Sequence, residues 1–258
     1  MASSPGHPAP PEDPAHPPHP PHPPDERTAP DDGRPLVLDR RTGPFGEVVL
    51  RRHGELLQII ANGCFLMDTS DGRSERLLVR SALGALAARA PRLLIGGLGV
   101  GFSLAEAAAE PRWGRITVLE REPAIIEWHR SGPLSDISGA ALSDPRVELV
   151  ENDLLAHLRE AETRARYDAL CLDIDNGPDW TVTEDNESLY SPTGLAACRA
   201  ALAPGGALVV WSAQPSATFP DMLRDAGFDR VRTEEVPVVR GVPDVLFLAS
   251  HHLASRSA

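Results

Sequence analysis

The stretch Leu93-Leu94-Ile95-Gly96-Gly97-Leu98-Gly99-Val100-Gly101, followed by Val118-Leu119-Glu120, decides the fold. The aliphatic run reads as a buried strand, the glycines as a tight turn, and the second apolar run ends on a carboxylate about 20 positions further on. Glycine lets the backbone turn sharply and approach a ligand with no Cβ in between. An acidic residue at that distance can accept hydrogen bonds from both hydroxyls of a ribose. The pattern is a nucleoside cradle. A dinucleotide is disfavoured, because G-x-G-x-x-G needs its third glycine where Phe102 stands, and here it falls one position early.

Beyond Pro91, strand and helix alternate. Strands are expected at 92–96, 115–120, 147–151, 168–173 and 207–212, and helices at 101–110, 123–130, 154–161, 191–203 and 217–226. This spacing predicts a parallel sheet covered by helices on both faces. Two last strands, near 231–236 and 244–249, are joined by Arg240-Gly241-Val242-Pro243, too short for a crossover helix, and are expected to be antiparallel. Ahead of the alternation, residues 36–67 carry short β-prone runs broken at His53-Gly54 and Asn62-Gly63, the signature of hairpins. Residues 74–90 then read as a helix with Leu77, Leu78, Leu83 and Leu86 turned inward.

The expected fold class is therefore α/β: a Rossmann-like, methyltransferase-type sheet, mostly parallel with an antiparallel final strand, preceded by a small antiparallel β region. Three segments follow: a Pro/His-rich tail over 1–34, the β region over 35–80, and a nucleoside-binding transferase domain over 81–258. The tail holds nearly half of the 26 prolines and four of the nine histidines with almost no aliphatic side chains, so it is expected to be disordered. Its repeat, His16-Pro17-Pro18-His19-Pro20-Pro21-His22, could bind a transition metal weakly or dock a proline-reading domain; a solvated tail is the simpler expectation. No metal is assigned to the folded part.

With 37 acidic against 25 basic residues, the net charge of −12 opposes nucleic acid or an anionic membrane as partner, since either needs clustered Lys and Arg. A small cationic substrate fits better. Cys64, Cys171 and Cys198 are widely spaced and read as reduced thiols, mostly in the core. No apolar run approaches a membrane span, the N-terminus lacks a signal-peptide core, and a cytoplasmic location is expected.

Open parallel sheets bind ligands beyond the carboxyl ends of their strands, so the residues at those ends belong together. They are Gly96, Gly97, Gly99 and Gly101 in the first turn, then Glu120, then Asn152 and Asp153, then Asp173 and Asp175. Glu120 is expected on a ribose. Asp153 suits the exocyclic amine of adenine while also capping the next helix. Asp173 lies at the strand end, where a reacting carbon would sit. The long polar loop after it, through Trp180 to Tyr190, carries several acids that suit an ammonium group or serve only as a solvated loop.

These residues resemble the spermidine synthase (polyamine aminopropyltransferase) family over about residues 45–250. The matching segments are Ile95-Gly96-Gly97, Val118-Leu119-Glu120, Asp144-Pro145-Arg146-Val147, Asn152-Asp153, Tyr167-Asp168, Leu172-Asp173 and Leu202-Ala203-Pro204-Gly205-Gly206. The resemblance implies a class I S-adenosylmethionine-dependent transferase fold. It also implies transfer of an aminopropyl group from decarboxylated S-adenosylmethionine to an amine such as putrescine, with no prosthetic group. By that likeness Asp173 would orient the amine and accept its proton, while Asp175, Glu75 and Tyr190 are the candidate substrate-binding residues. A homodimer is compatible with this class.

The chain departs from the family at three places. Gly99 stands where the family usually has an aspartate suited to the donor's free amine. The segment Asp71-Gly72-Arg73-Ser74-Glu75-Arg76 lacks a tyrosine, and no glutamine occurs near Leu66. The loop pattern Asp-Ser-Ser-Asp-Pro has become Asp173-Ile174-Asp175-Asn176-Gly177-Pro178, so that the second carboxylate has either moved by one residue or been lost. The missing aspartate keeps a methyltransferase using S-adenosylmethionine as an alternative, and a non-catalytic nucleoside-binding homologue as a third. Trp211 is read as facing either substrate or core, and His129 as an exposed helix-end residue.

Overall fold

The computed structural model describes residues 33–164, 167–239 and 241–251, with the side chains of 161–164 and 184 left aside. The tail expected over 1–34 lies outside the described residues apart from its last two. Residues from Gly33 onward form one compact unit. It begins with a four-stranded antiparallel sheet of β1 (Leu36–Gly43), β2 (Gly46–His53), β3 (Leu56–Ala61) and β4 (Cys64–Asp68), paired in sequence order. Asn62 and Gly63 adopt positive φ at the β3–β4 turn, the conformation that an Asn-Gly pair tolerates.

Helix α1 (Arg73–Gly84) leads into the second sheet, whose members are β5 (Arg92–Gly96), β6 (Arg115–Glu120), β7 (Val147–Glu151), β8 (Tyr167–Leu172), β9 (Leu202–Ser212), β10 (Asp229–Val236) and β11 (Asp244–Ser250). The spatial order is β10-β11-β9-β8-β5-β6-β7, parallel from β9 to β7 and antiparallel where β11 meets β9 and β10. The expected sheet, with its antiparallel end, is observed.

Burial follows the period of two along each strand. Leu93 and Ile95 enter one core while Leu94 enters the other; Ala169 and Cys171 oppose Leu170 and Leu172; Val209 opposes Leu208 and Val210. A strand buried on both faces must be apolar throughout, which is why these segments read as unbroken hydrophobic runs. On one face lie α1, α2 (Phe102–Ala109), α3 (Pro123–Arg130) and α4 (Ser135–Leu142), with Val48, Leu50 and Ile59 of the small sheet packing into the same core. On the other lie α5 (Leu154–Arg164), α6 (Glu187–Tyr190), α7 (Pro192–Ala201) and α8 (Phe219–Asp225).

The structure corrects some expectations. Helix α1 stops at Gly84 instead of running to residue 90, because the chain turns there and reaches strand β5 across Pro91. Helix α4 carries only a weak apolar pattern and had no counterpart among the expected elements. It covers His129, which is wholly buried and not exposed.

The segment Asp144-Pro145-Arg146-Val147 proves to be a structural brace. Asp144 accepts from Arg146, whose guanidinium donates to the carbonyls of Ala108 at 2.5 Å, Glu110 at 2.9 Å and Trp113 at 3.2 Å. It thereby satisfies orphan carbonyls after α2 and fixes the approach to β6. Replacing Arg146 with Met strands these acceptors, and the expected loss is about 2–4 kcal/mol of stability in chemical denaturation. Nucleoside binding at low temperature should survive, since Arg146 lines neither cleft described below.

Candidate active site

Strand β5 ends beside β8, and the turn between β5 and α2 passes over the end of β8. Asp173 N–H donates to the Gly96 carbonyl at 2.8 Å, and Gly97 N–H donates to the Leu119 carbonyl at 2.8 Å. A Cβ on Gly97, whose φ is +92°, would lie 2.1 Å from the Asp173 carbonyl oxygen. Only glycine permits this crossing.

Two clefts meet at Asp173. The first runs along the ends of β5, β6 and β7 and is lined by Gly97, Gly99, Glu120, Asn152, Asp153 and Asp173. The other two glycines shape it from behind: a Cβ on Gly96 would strike Leu154, and one on Gly101 would strike His129. Glu120 is buried, and its carboxylate accepts from Leu98 N–H at 3.0 Å and Glu122 N–H at 2.9 Å. Arg121 N–H also approaches this carboxylate, and only the lone-pair capacity left by the three backbone donors is open to a hydroxyl. Burial raises its pKa, against the pull of those N–H groups. Asp153 accepts from Ala156 N–H at 2.8 Å, the cap of α5, and also lines the cleft. This cleft is narrow, ≈ 120 Å³, and is bounded also by Met67 of β4 and Thr183 of the loop after β8.

The second cleft, ≈ 560 Å³, opens on the opposite side of Asp173, between β4, the start of α1, the loop after β8 and the β10–β11 connection. Its floor is a carboxylate cluster. Ser103 Oγ donates to Asp173 at 2.7 Å, while Ser74 Oγ lies 3.0 Å from Glu75 Oε2 and 2.7 Å from Asp244 Oδ2. A serine has one proton to give, so Ser74 can donate to only one of these two acids at a time. Burial, then the charge of Asp173, lifts the pKa of Glu75 to about 8. Burial, eased by the Ser103 hydrogen bond and aggravated by Asp244, lifts Asp173 to about 6. Asp244 is raised by burial as well. Trp211 lines this cleft, and its buried indole N–H, without a full hydrogen bond, faces the Asp244 carboxyl.

The other candidates have structural work. Asp175, at φ +59°, accepts from Val182 N–H, Thr183 N–H and Asn186 Nδ2, tying the loop 175–186 to itself beside both clefts. Tyr190 lies in the core edge-on to Phe219, donates to the Ile174 carbonyl at 3.2 Å, and lines neither cleft. It holds the loop from below, and the substrate contact expected of it is not where the structure places it. Buried His129 bonds the Gly99 carbonyl through Nε2 at 2.8 Å and Ser138 Oγ through Nδ1, so it braces the glycine turn. Ser74, Ser103 and Asp244 were not among the sequence candidates. Short polar residues flanked by ordinary helix or strand carry no local signal.

The sheet order, with its antiparallel end and the glycine turn after β5, defines the Rossmann-like, methyltransferase-type class of α/β fold. The comparisons with known proteins narrow this. The chain is 31% identical over 201 residues to a polyamine aminopropyltransferase of Mycobacterium tuberculosis and 35% identical over 209 residues to polyamine aminopropyltransferase 2 of Streptomyces coelicolor. These matches cover 75% and 77% of this chain, which spans 37% and 36% of those relatives' lengths. A crystal structure of spermidine synthase in complex with the transition-state analogue AdoDATO superposes with a TM-score of 0.72 at 17% identity, covering 84% of this chain and 74% of that one. No family model matches. Over its folded region the chain is a homologue of the polyamine aminopropyltransferases, with the fold of spermidine synthase. Among the described residues, no helix is long and apolar enough to cross a membrane.

The raised acids give the free protein a pH-dependent stability. A carboxyl whose folded pKa exceeds its unfolded one stabilises the fold fully below the unfolded value and loses that contribution as pH rises through the folded one. For Glu75 the window runs from about 4.5 to about 8. The melting temperature should therefore fall across it, while Glu75→Gln should flatten the upper part and be more stable than the parent at pH 8. Thermal denaturation from pH 5 to pH 8.5 checks this.

Proposed function

We propose that the chain transfers an aminopropyl group from decarboxylated S-adenosylmethionine to a primary amine such as putrescine. The observation that carries this reading is Asp173, a carboxylate common to the two clefts, one suited to a nucleoside and the other floored by acids. In the first, Glu120 would accept from the ribose hydroxyls and Asp153 from the adenine amine. In the second, Glu75, Asp173 and Asp244 would hold the acceptor as an ammonium.

The chemistry is a displacement at the carbon next to a sulfonium. The amine lone pair forms the new C–N bond, the C–S bond breaks, and its electron pair leaves on sulfur as a neutral thioether. The surplus N–H proton passes to Asp173. Freeing an alkylammonium of its proton at neutral pH costs roughly 4–5 kcal/mol, so a base at the reacting nitrogen is needed. With its pKa raised to about 6, Asp173 is ionised at neutral pH yet more basic than an exposed aspartate. Glu75, protonated in the free protein, would release its proton when a cation arrives, so binding of an ammonium should be accompanied by proton release.

A second reading, methyl transfer from intact S-adenosylmethionine, is favoured by one observation. A Cβ on Gly99 would lie 2.4 Å from Met67 Sδ, so a thioether occupies the space into which the family's usual aspartate would project. The products separate the two. Methylthioadenosine and a polyamine enlarged by an aminopropyl unit support the first; S-adenosylhomocysteine supports the second.

Asp173→Asn should lower kcat by about 10²–10⁴ while leaving nucleoside affinity intact. Glu120→Ala should instead weaken nucleoside binding with a smaller effect on kcat. In the parent enzyme kcat/KM should rise with pH through about 6 as Asp173 ionises. Turnover by Asp173→Asn within a few-fold of the parent would remove Asp173 from the role of base.

A further inference from the structure

We propose that the acceptor cleft is built for a primary amine bearing a single charge on an apolar or aromatic body, with an arylalkylamine preferred over a short diamine. The inference rests on reading this cleft as the acceptor side of a transferase. Its evidence is the division of the cleft into a floor and a mouth of opposite character.

At the floor, the hydrogen bonds of Glu75, Asp173 and Asp244 come from serine hydroxyls, with Trp211 facing Asp244; among the described residues no base forms a direct ion pair with them, and Arg73 acts on Asp244 only through its charge at longer range. One ammonium, with three protons to donate, completes this cluster. Further out, each acid is already engaged. Asp71 holds the Arg73 guanidinium through three contacts, at 3.0, 2.8 and 2.6 Å; Asp68 accepts from Ser70 N–H at 2.8 Å and Gln58 at 3.3 Å; Asp175 is consumed by its own loop. Arg73 is the one base among the described lining residues, and it already pairs with Asp71, the acid that a second ammonium could otherwise use. A diamine would bring a second charge to a place that has neutralised its acid.

The walls of the mouth are apolar and open. Phe65 is 48% exposed, Trp180 50%, Val242 57% and Val239 84%, an unusual concentration of large apolar side chains around one opening. A four-carbon chain would leave most of ≈ 560 Å³ unfilled. An aromatic body would cover these side chains, with its charged end on the floor.

The test uses the full chain saturated with methylthioadenosine and titrated calorimetrically with 2-phenylethylamine, hexylamine and putrescine. A parallel arm measures turnover of each amine with decarboxylated S-adenosylmethionine. Phenylethylamine should bind about tenfold or more tightly than putrescine, a difference that one buried ring can supply. Trp180→Ala, a half-exposed position, should weaken phenylethylamine about fivefold and move putrescine less than twofold, while Arg73→Ala should tighten putrescine by freeing Asp71. Putrescine binding as tightly as phenylethylamine, or no amine binding, overturns the proposal. It is also overturned if Trp180→Ala dissociates a dimer in sedimentation and leaves the amine affinities unchanged, since a second copy then covers the apolar mouth. The two readings fail separately. Preferred binding of phenylethylamine without turnover upholds the acceptor class and sinks the transferase reading, whereas turnover that favours putrescine does the reverse.

Discussion

The space that a side chain on Gly97 would fill is occupied by the backbone of Asp173, whose carbonyl oxygen would stand 2.1 Å from a Cβ. Because the turn after β5 can lie this close to the end of β8, the Asp173 carboxylate emerges between the two clefts and not at the rim of one. The same crossing brings Ser103, in the first turn of α2, within 2.7 Å of that carboxylate. The glycine turn and the candidate base are therefore set by a single approach of two backbones, and neither can shift without the other. A larger residue at 97 would separate the strand ends and with them the two halves of the site.

The acids around Asp173 are kept from ordinary ion pairs, and this has a cost. A buried carboxylate without a cation partner is pushed towards its neutral form. Glu75 answers with a pKa raised to about 8, which favours its protonated form at neutral pH. On the function proposed above, an arriving ammonium would displace that proton, so that occupancy of the cleft and its ionisation would be coupled. An arginine in the same place would have made the fold more tolerant of high pH and the cleft useless for an amine.

The sheet was legible in the sequence because both of its faces are covered: Leu93 and Ile95 face one core and Leu94 the other, so the strands stand out as apolar runs of the right length. That Glu120, Asp153 and Asp173 would share one cleft was legible because all three follow the carboxyl ends of strands in an open parallel sheet. What escaped was whatever depends on contacts distant in sequence. Ser74 and Asp244 are 170 positions apart and meet only after β11 has inserted beside β9. His129 reads as a helix-end polar residue until α4 folds over it, and the short apolar pattern of α4 gave little warning. Tyr190 misled for the opposite reason: an aromatic hydroxyl after an acidic loop suggests a ligand, yet its neighbours Phe219 and Phe247 draw it into the core and leave its hydroxyl to the Ile174 carbonyl.

Gly99 joins these arguments at the donor end. It lies at φ +51° with Met67 Sδ against it, and its carbonyl is held by His129 from beneath. Burial depresses the pKa of His129, so the ring is neutral at physiological pH and its two nitrogens have fixed and different roles: one donates and the other accepts. Since a carbonyl can only accept, Nε2 carries the proton towards Gly99, and Nδ1 accepts from Ser138. The turn is thus clamped from below by a neutral histidine and from above by a thioether. No carboxylate can enter at 99 without displacing Met67 and straining a left-handed backbone. On the function proposed above, the alkyl group of the donor would meet sulfur at this wall, and any charge on that group would be answered from the other side of the cleft, where Asp173 stands.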